Sequence, residues 1–236
     1  MKIAAVVAIL LVWTSCTEQS CFASGQINTD ERGPLNFDFD ESFVLASPVA
    51  HVHRYAAASY AANDQNEDRY VVKVDSDAVF ASVLDGHGGW QVAEYVNKHL
   101  VNNAATLLRD AASNDPTHIA SLLSSAFVAT DDALRALLLP AFQLGFGLVN
   151  RMGACSMLAY AKGDTLVVAN AGDVRAVLAS TSASGRLVAT PLSTDHNAKH
   201  ESEQARLVAA HPTESGVFVC KSPNSCRVKG IVQPTR

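Results

Sequence analysis

At 236 residues and about 150 residues per domain, the chain has room for one sizeable domain plus a leader or appendage. Hydrophobic residues make up 48% and charged residues 17%, which excludes an intrinsically disordered protein. With 18 Lys and Arg against 23 Asp and Glu, the net charge of −5 supplies no basic footprint and excludes general binding to nucleic acid or anionic lipid.

Lys2 precedes an apolar run from Ile3 to Trp13, and Cys21-Phe22-Ala23 forms a small-x-Ala cleavage site, so residues 1–23 are predicted to be a secretory signal peptide. The run covers about 16 Å of helix against a hydrocarbon core of ~30 Å, so no stable membrane span is expected after cleavage. An uncleaved leader would instead be an anchor. A mitochondrial presequence would be Arg-rich, whereas the first Arg here is Arg32. Residues 24–48, with Gly25, Gly33, Pro34, Pro48 and the acidic Asp38, Asp40 and Glu41, are predicted to be a linker or loosely docked arm. The folded part is expected to begin near Val49 and to run to residue 236.

Arg69 to Val74 and Ala78 to Leu84 are β-rich runs joined by Asp75-Ser76-Asp77, a hairpin pattern. Helical spacing follows from Trp90 to Leu108, with Val92, Tyr95, Val96, Leu100, Leu107 and Leu108 apolar. Asn114-Asp115-Pro116 then supplies the start of a second helix, expected to stop at Pro140. Cys155 to Ala161 and Thr165 to Asn170 form another hairpin around Lys162-Gly163-Asp164, Arg175 to Ser180 is a third strand, and Glu201 to Ala210 a short helix. Hairpin-sized gaps between strands predict an α+β fold with antiparallel sheet rather than a doubly wound parallel one.

Of five cysteines, Cys16 and Cys21 would leave with the leader, and Cys155, Cys220 and Cys226 would remain. An oxidising compartment can join Cys220 to Cys226; free structural thiols are the plainer alternative. His51 and His53 form His-x-His without partner ligands at suitable spacing, and surface or strand positions are expected for both.

Asn66-Glu67-Asp68-Arg69 opens one strand and Leu84-Asp85-Gly86-His87-Gly88-Gly89 closes the next, which brings carboxylates to one end of a sheet. Clustered carboxylates suit a hard divalent cation such as Mg2+ or Mn2+. Adjacent residues of a regular strand point to opposite faces, so Glu67 and Asp68 can serve one ion together only through irregular backbone, a water, or a second ion. A simple turn after Asp85 would need neither the His nor three glycines.

These segments, with Val168-Ala169-Asn170-Ala171-Gly172-Asp173-Val174-Arg175 and Leu192-Ser193-Thr194-Asp195-His196, resemble the metal-dependent type 2C serine/threonine protein phosphatases over residues 50–236. Asn66 to Arg69, Asp195-His196-Asn197-Ala198 with Glu201, Glu203 and Arg206, and Arg227 to Gly230 with Gln233 to Arg236 are most similar to the pyruvate dehydrogenase phosphatase branch. The resemblance implies an antiparallel β-sandwich flanked by helix pairs, a phosphoprotein substrate, and two Mg2+ or Mn2+ ions with a third, weaker one. It implies that Glu67 binds a metal through water, that Asp85 bridges two metals, that the Gly86 carbonyl completes one shell, that Asp68 lies in the outer sphere and that Asp173 serves the third metal. His87 would be the general acid. Where the family carries a phosphate-binding Arg, four residues before the metal-site Glu, stands Asn63, able to give one hydrogen bond.

In the family Arg236 would be followed by a Gly-Asp motif and by two later segments that each give an Asp to the metals, so residues 49–236 are expected to be a partial phosphatase domain. The alternative is a catalytically inactive pseudophosphatase acting as a binding module. A cysteine-dependent phosphatase needs Cys-x5-Arg, whereas six residues separate Cys220 from Arg227. A calcineurin-like metallophosphoesterase would need a later Gly-Asn-His, which the sequence lacks.

Overall fold

The computed structural model describes residues 6–13, 41–60, 65–111, 114–147 and 151–236. Asn63, residues 14–23 of the expected leader and residues 24–40 of the expected arm lie outside them. The first half contains strands β1 (Val6–Trp13), β2 (Glu41–Val49), β3 (Val52–Tyr60), β4 (Arg69–Val74) and β5 (Ala78–His87), then helices α1 (Gln91–Arg109) and α2 (Pro116–Gln143). The second contains β6 (Gly153–Lys162), β7 (Thr165–Ala171), β8 (Val177–Thr181), β9 (Leu187–Pro191), α3 (Glu201–Ala210), β10 (Phe218–Ser222) and β11 (Ser225–Val228).

All pairings between these strands are antiparallel. A four-stranded sheet runs β4-β5-β6-β7, a three-stranded sheet runs β1-β3-β2, and β8-β9 and β10-β11 are separate ribbons. The fold is α+β with antiparallel sheet, as the hairpin-sized gaps imply. Strand pairing reaches into the stretch read as an arm, since β2 starts at Glu41, and into the stretch read as a leader, since β1 pairs with β3.

The four-stranded sheet is covered on both faces because its central strands are apolar at successive positions. Phe80 of β5 and Leu158 and Tyr160 of β6 join Leu100, Ala104 and Ala105 of α1 and Ile119, Leu123 and Ala126 of α2 in the main core. The alanines let the helices approach closely, and Asn103 donates to Thr130 between them at 2.9 Å. One residue on, Val79 and Ala161 face the other way and pack with Val52 of β3, flanked by Leu45, Val72 and Leu166. That reversal is the two-residue period of a strand, and it produces a helix pair, a sheet and a second sheet in layers.

Three boundaries differ from expectation. α2 continues through Pro140 to Gln143. A proline removes one N–H and leaves the carbonyl of Ala136 without its donor, and Ala136 is exposed, so water can serve it. β5 continues past Leu84 through Asp85 and Gly86 to His87, because β6 pairs with it as far as Gly153. The strand expected from Arg175 to Ser180 starts at Val177 instead and runs to Thr181, paired with β9 in a ribbon of its own, while the Arg175 guanidinium is held by both Asp195 oxygens at 3.1 and 2.6 Å. Cys220 and Cys226 are paired as a disulfide across β10-β11, and Cys155 is a free, buried thiol. His51 sits on the surface turn before β3, ion-paired with Asp164 at 2.8 Å. Among the described residues no helix is long and apolar enough to cross a membrane.

The last residues are tied to α3 through a buried charge. Glu203, 5% exposed, accepts hydrogen bonds from Arg206 at 3.0 Å, Thr235 Oγ1 at 2.6 Å and Arg236 at 2.7 Å. Burial pushes the Glu203 carboxyl up, but these three donors outweigh it and hold its pKa at about 2. A carboxylate with a depressed pKa contributes stability that is complete above its ordinary value of 4.5 and is lost as pH falls toward 2. Glu203→Gln is therefore expected to cost roughly 2–3 kcal/mol at pH 7 and much less at pH 3, read from paired chemical denaturation curves. A pH-independent difference would show that the charge is not what anchors the segment.

Candidate metal and phosphoester site

The site is built where β5 leaves the sheet. Asp85 and His87 are two apart on one strand and share a face, and Gly86 between them turns to the other. Gly86 packs directly on the carbonyl of Glu67, where any Cβ would collide with that oxygen. This close approach sets the turn 66–68 against β5. β4 begins only at Arg69, so Glu67 and Asp68 lie in irregular backbone and the strand-face limit does not apply.

Asn66 Oδ1 accepts the Asp68 N–H at 3.0 Å, and the Arg69 guanidinium donates to the carbonyls of Asn66 and Asp68 at 2.8 and 2.7 Å. Arg69 also binds Glu94 at 2.7 Å and lies 5.5 Å over the Trp90 ring, which ties the turn to the start of α1. Glu67 is half-buried and Asp68 buried.

Burial, with Asp85 and Glu67 adding like charge against the pull of Arg69, pushes the Asp68 pKa up to about 6. Asp68 Oδ1 is buried with no hydrogen-bond partner among the described residues. Asp85 is exposed to a cleft, and the protein packed around it, followed by the charge of Asp173, raises its carboxyl; His87 pulls the other way and Glu67 raises it further. Four carboxylates thus repel one another at one corner.

Asp173 follows Gly172, whose φ of +104° turns the chain out of β7. Its carboxylate accepts the Cys155 S–H at 3.2 Å and the Asn197 amide at 2.7 Å. Cys155 is opposite Asp85 in the β5-β6 register. Burial raises the Cys155 pKa, so the thiol stays protonated and acts as a donor to Asp173 rather than as a nucleophile. His87 Nδ1 lies 3.3 Å from the Arg151 carbonyl, which only accepts, so the proton belongs on Nδ1. The ring rests over Gly153, where an added Cβ would stand 2.5 Å from Nε2. Asp85, His87, Arg151, Cys155, Asp173 and Gln233 border a cleft of about 600 Å³.

The family profile described as protein phosphatase 2C matches residues 52–236, the whole of this arrangement. The chain belongs to the protein phosphatase 2C family. A rice (Oryza sativa subsp. japonica) protein named "Probable protein phosphatase 2C 61" is 35% identical over 202 residues, 84% of this chain and 51% of its own length. An Arabidopsis thaliana protein named "Probable protein phosphatase 2C 68" is 33% identical over 186 residues, 77% of this chain and 46% of its own. The chain spans about half the length of the curated relatives it matches. The crystal structure of serine-threonine phosphatase 2C from Toxoplasma gondii superposes with a TM-score of 0.52 at 18% identity, over 62% of this chain and 51% of that one. At that identity the likeness shows the fold.

Protein phosphatase 2C enzymes are metal-dependent, and the donor set here fits a hard divalent cation in kind. It consists of oxygens, they repel one another, and Asp68 Oδ1 has no partner among the described residues. Among the described residues no three His, Cys, Asp or Glu side chains form a group that could hold an ion, so the set is short in number.

The structure gathers Glu67, Asp68, Asp85, Gly86, His87 and Asp173 from the two segments 66–68 and 85–87 and the corner after β7; Asn63 lies outside the described residues. Cys155, Asn197 and Arg151 had no site role from sequence, although Asn197 stands in the Asp195–Ala198 run. The small-residue run Gly153-Ala154-Cys155-Ser156 carried a further signal, since a strand of small residues leaves room for an aspartate and a histidine on its neighbour.

Proposed function

We propose that the chain carries the metal-dependent serine/threonine protein phosphatase function of its family, acting on phosphoserine and phosphothreonine side chains. The observation that carries the reading is the orphaned, buried Asp68 Oδ1 beside Asp85 in a corner of repelling carboxylates, inside the segment that matches the family profile.

Asp85, the Gly86 carbonyl and Glu67 would be the groups that hold the divalent ions, with Asp68 behind them and Asp173 available to a further, weaker ion. Bound Mg2+ or Mn2+ supplies Lewis acidity to water and to the phosphoryl oxygens. With the Nδ1 proton held by the Arg151 carbonyl, Nε2 is the His87 atom left to act, and it gives a proton to the departing seryl or threonyl oxygen when the ring enters the step as the doubly protonated imidazolium. The matching runs at Asn66–Arg69 and Asp195–Ala198 support placement near the pyruvate dehydrogenase phosphatase branch. Lys2 and the apolar run behind it support entry into the secretory route.

Phosphate release from a phosphothreonine peptide, measured with Mn2+, with Mg2+ and with EDTA, tests the reading. Turnover is expected with either metal and none with EDTA, and His87→Ala should slow it about 10²- to 10⁴-fold. Folded protein that releases no phosphate under any metal would overturn the proposal for this chain and leave a binding module.

A further inference from the structure

A phosphoryl dianion entering this cleft meets the carboxylates of Asp85 and Asp173, and a protein cation is needed to offset their repulsion and orient it. The guanidinium groups around the site are mostly committed. Arg69 is spent on Glu94 and on two carbonyls of the 66–68 turn. Arg175 is held by both oxygens of Asp195, and Arg206 and Arg236 are held by Glu203. Arg227 borders the cleft but donates through Nη1 to the Ile231 carbonyl at 2.8 Å. Arg151 also borders the cleft, is exposed, and its guanidinium makes no hydrogen bond or ion pair among the described residues.

The Arg151 backbone is fixed relative to the chemistry. Its carbonyl receives the His87 Nδ1 contact at 3.3 Å, and Gly88, with φ of +72°, is packed against the same carbonyl so closely that a Cβ would collide with it. The unspent guanidinium therefore starts from a point locked to the proposed acid. At the position where the family carries a phosphate-binding Arg, this chain has Asn63, an uncharged amide.

We propose that Arg151 recognises the phosphoryl group of the substrate, a bidentate donor reaching the cleft from the His87 side. The inference rests on the phosphatase reading and names the residue that would hold the phosphate within it.

The full chain, with Mn2+ present, is titrated into a fluorescent phosphothreonine peptide and into its unphosphorylated counterpart, and anisotropy is read for wild type, Arg151→Ala and Arg151→Lys. Wild type is expected to prefer the phosphorylated peptide. Arg151→Ala should lose about 10- to 100-fold in affinity for it, the range of a charge-assisted hydrogen bond, with little change for the unphosphorylated peptide. Arg151→Lys should fall between, since an ammonium keeps the charge without the fork. Where turnover is measurable, the loss should appear in KM more than in kcat, and inorganic phosphate should inhibit the Ala variant less.

An Arg151→Ala variant that keeps wild-type preference for the phosphopeptide overturns the inference and leaves the phosphatase reading standing. If that variant fails to fold, an Arg151→Lys variant with unchanged affinity and KM overturns it equally. A wild-type chain that does not distinguish the two peptides overturns both readings together.

Discussion

Asp85→Asn is expected to abolish metal-dependent phosphate release, by at least ~100-fold, a loss that even an outer contact of a metal centre can cause, while leaving the metal-free protein as stable as wild type or more so. The two halves of this result have one cause. Asp85 stands among Asp173, Glu67 and Asp68, and without a cation its charge is disfavoured by the crowding around it and by those neighbours. An amide removes the repulsion and keeps the shape, so the melting temperature in EDTA should not fall. The same amide removes the negative charge on which a divalent ion depends, so Mn2+ should raise the melting temperature of wild type more than that of the variant. Groups arranged for function at the expense of stability show this opposition of sign. A variant that loses stability in EDTA and keeps its metal response would show that Asp85 is a structural residue and not a ligand.

Gly172→Ala is expected to destabilise the protein by about 2–4 kcal/mol, from backbone strain and overpacking together. Gly172 has φ of +104°, where an L side chain is strained whatever space surrounds it, and the space is also taken. A Cβ there would stand 2.5 Å from both Cβ and Sγ of Cys155 and 2.9 Å from its Cα. Cys155 is buried within β6 and bonded through sulfur to Asp173, so it has no room to retreat. Adding Cys155→Ala removes the sulfur and leaves its Cβ in the way, so the double variant should recover only a minor part of the loss. Denaturant unfolding of the two single variants and the double variant measures this directly. Full recovery in the double variant would place the whole cost in the sulfur contact and none in the backbone.

The sequence determined the parts of this protein that depend on short-range order. Alternating and continuous apolar runs placed β4 to β7, helical spacing placed α1, Asp115-Pro116 placed the start of α2, and Glu201 to Ala210 coincides with α3. The carboxylates were legible because Glu67-Asp68 and Asp85-Gly86-His87 flank a predicted hairpin, and a hairpin brings the ends of its two strands together. The Cys220–Cys226 pair was left open, because a spacing of six permits a bridge without requiring one; the cross-strand register of β10 and β11 made it.

Tertiary structure decided what depends on neighbours distant in the chain. Pro140 does not end α2, since an exposed carbonyl can be hydrated, and β5 does not end at Leu84, since β6 offers it partners for three more residues. Arg175 looked like the start of a strand and is instead clamped by Asp195, an ion pair across twenty residues that no local pattern encodes. Likewise Cys155 is the donor to Asp173 and Gly153 makes room for His87, both through the register of one strand pair, and the Arg151 guanidinium beside the cleft has no partner among the described residues. Local sequence fixes which groups are present and which way each strand alternates; only packing brings residues together across the chain, and with them the burial and like charge that change what a carboxylate, a thiol or a guanidinium can do.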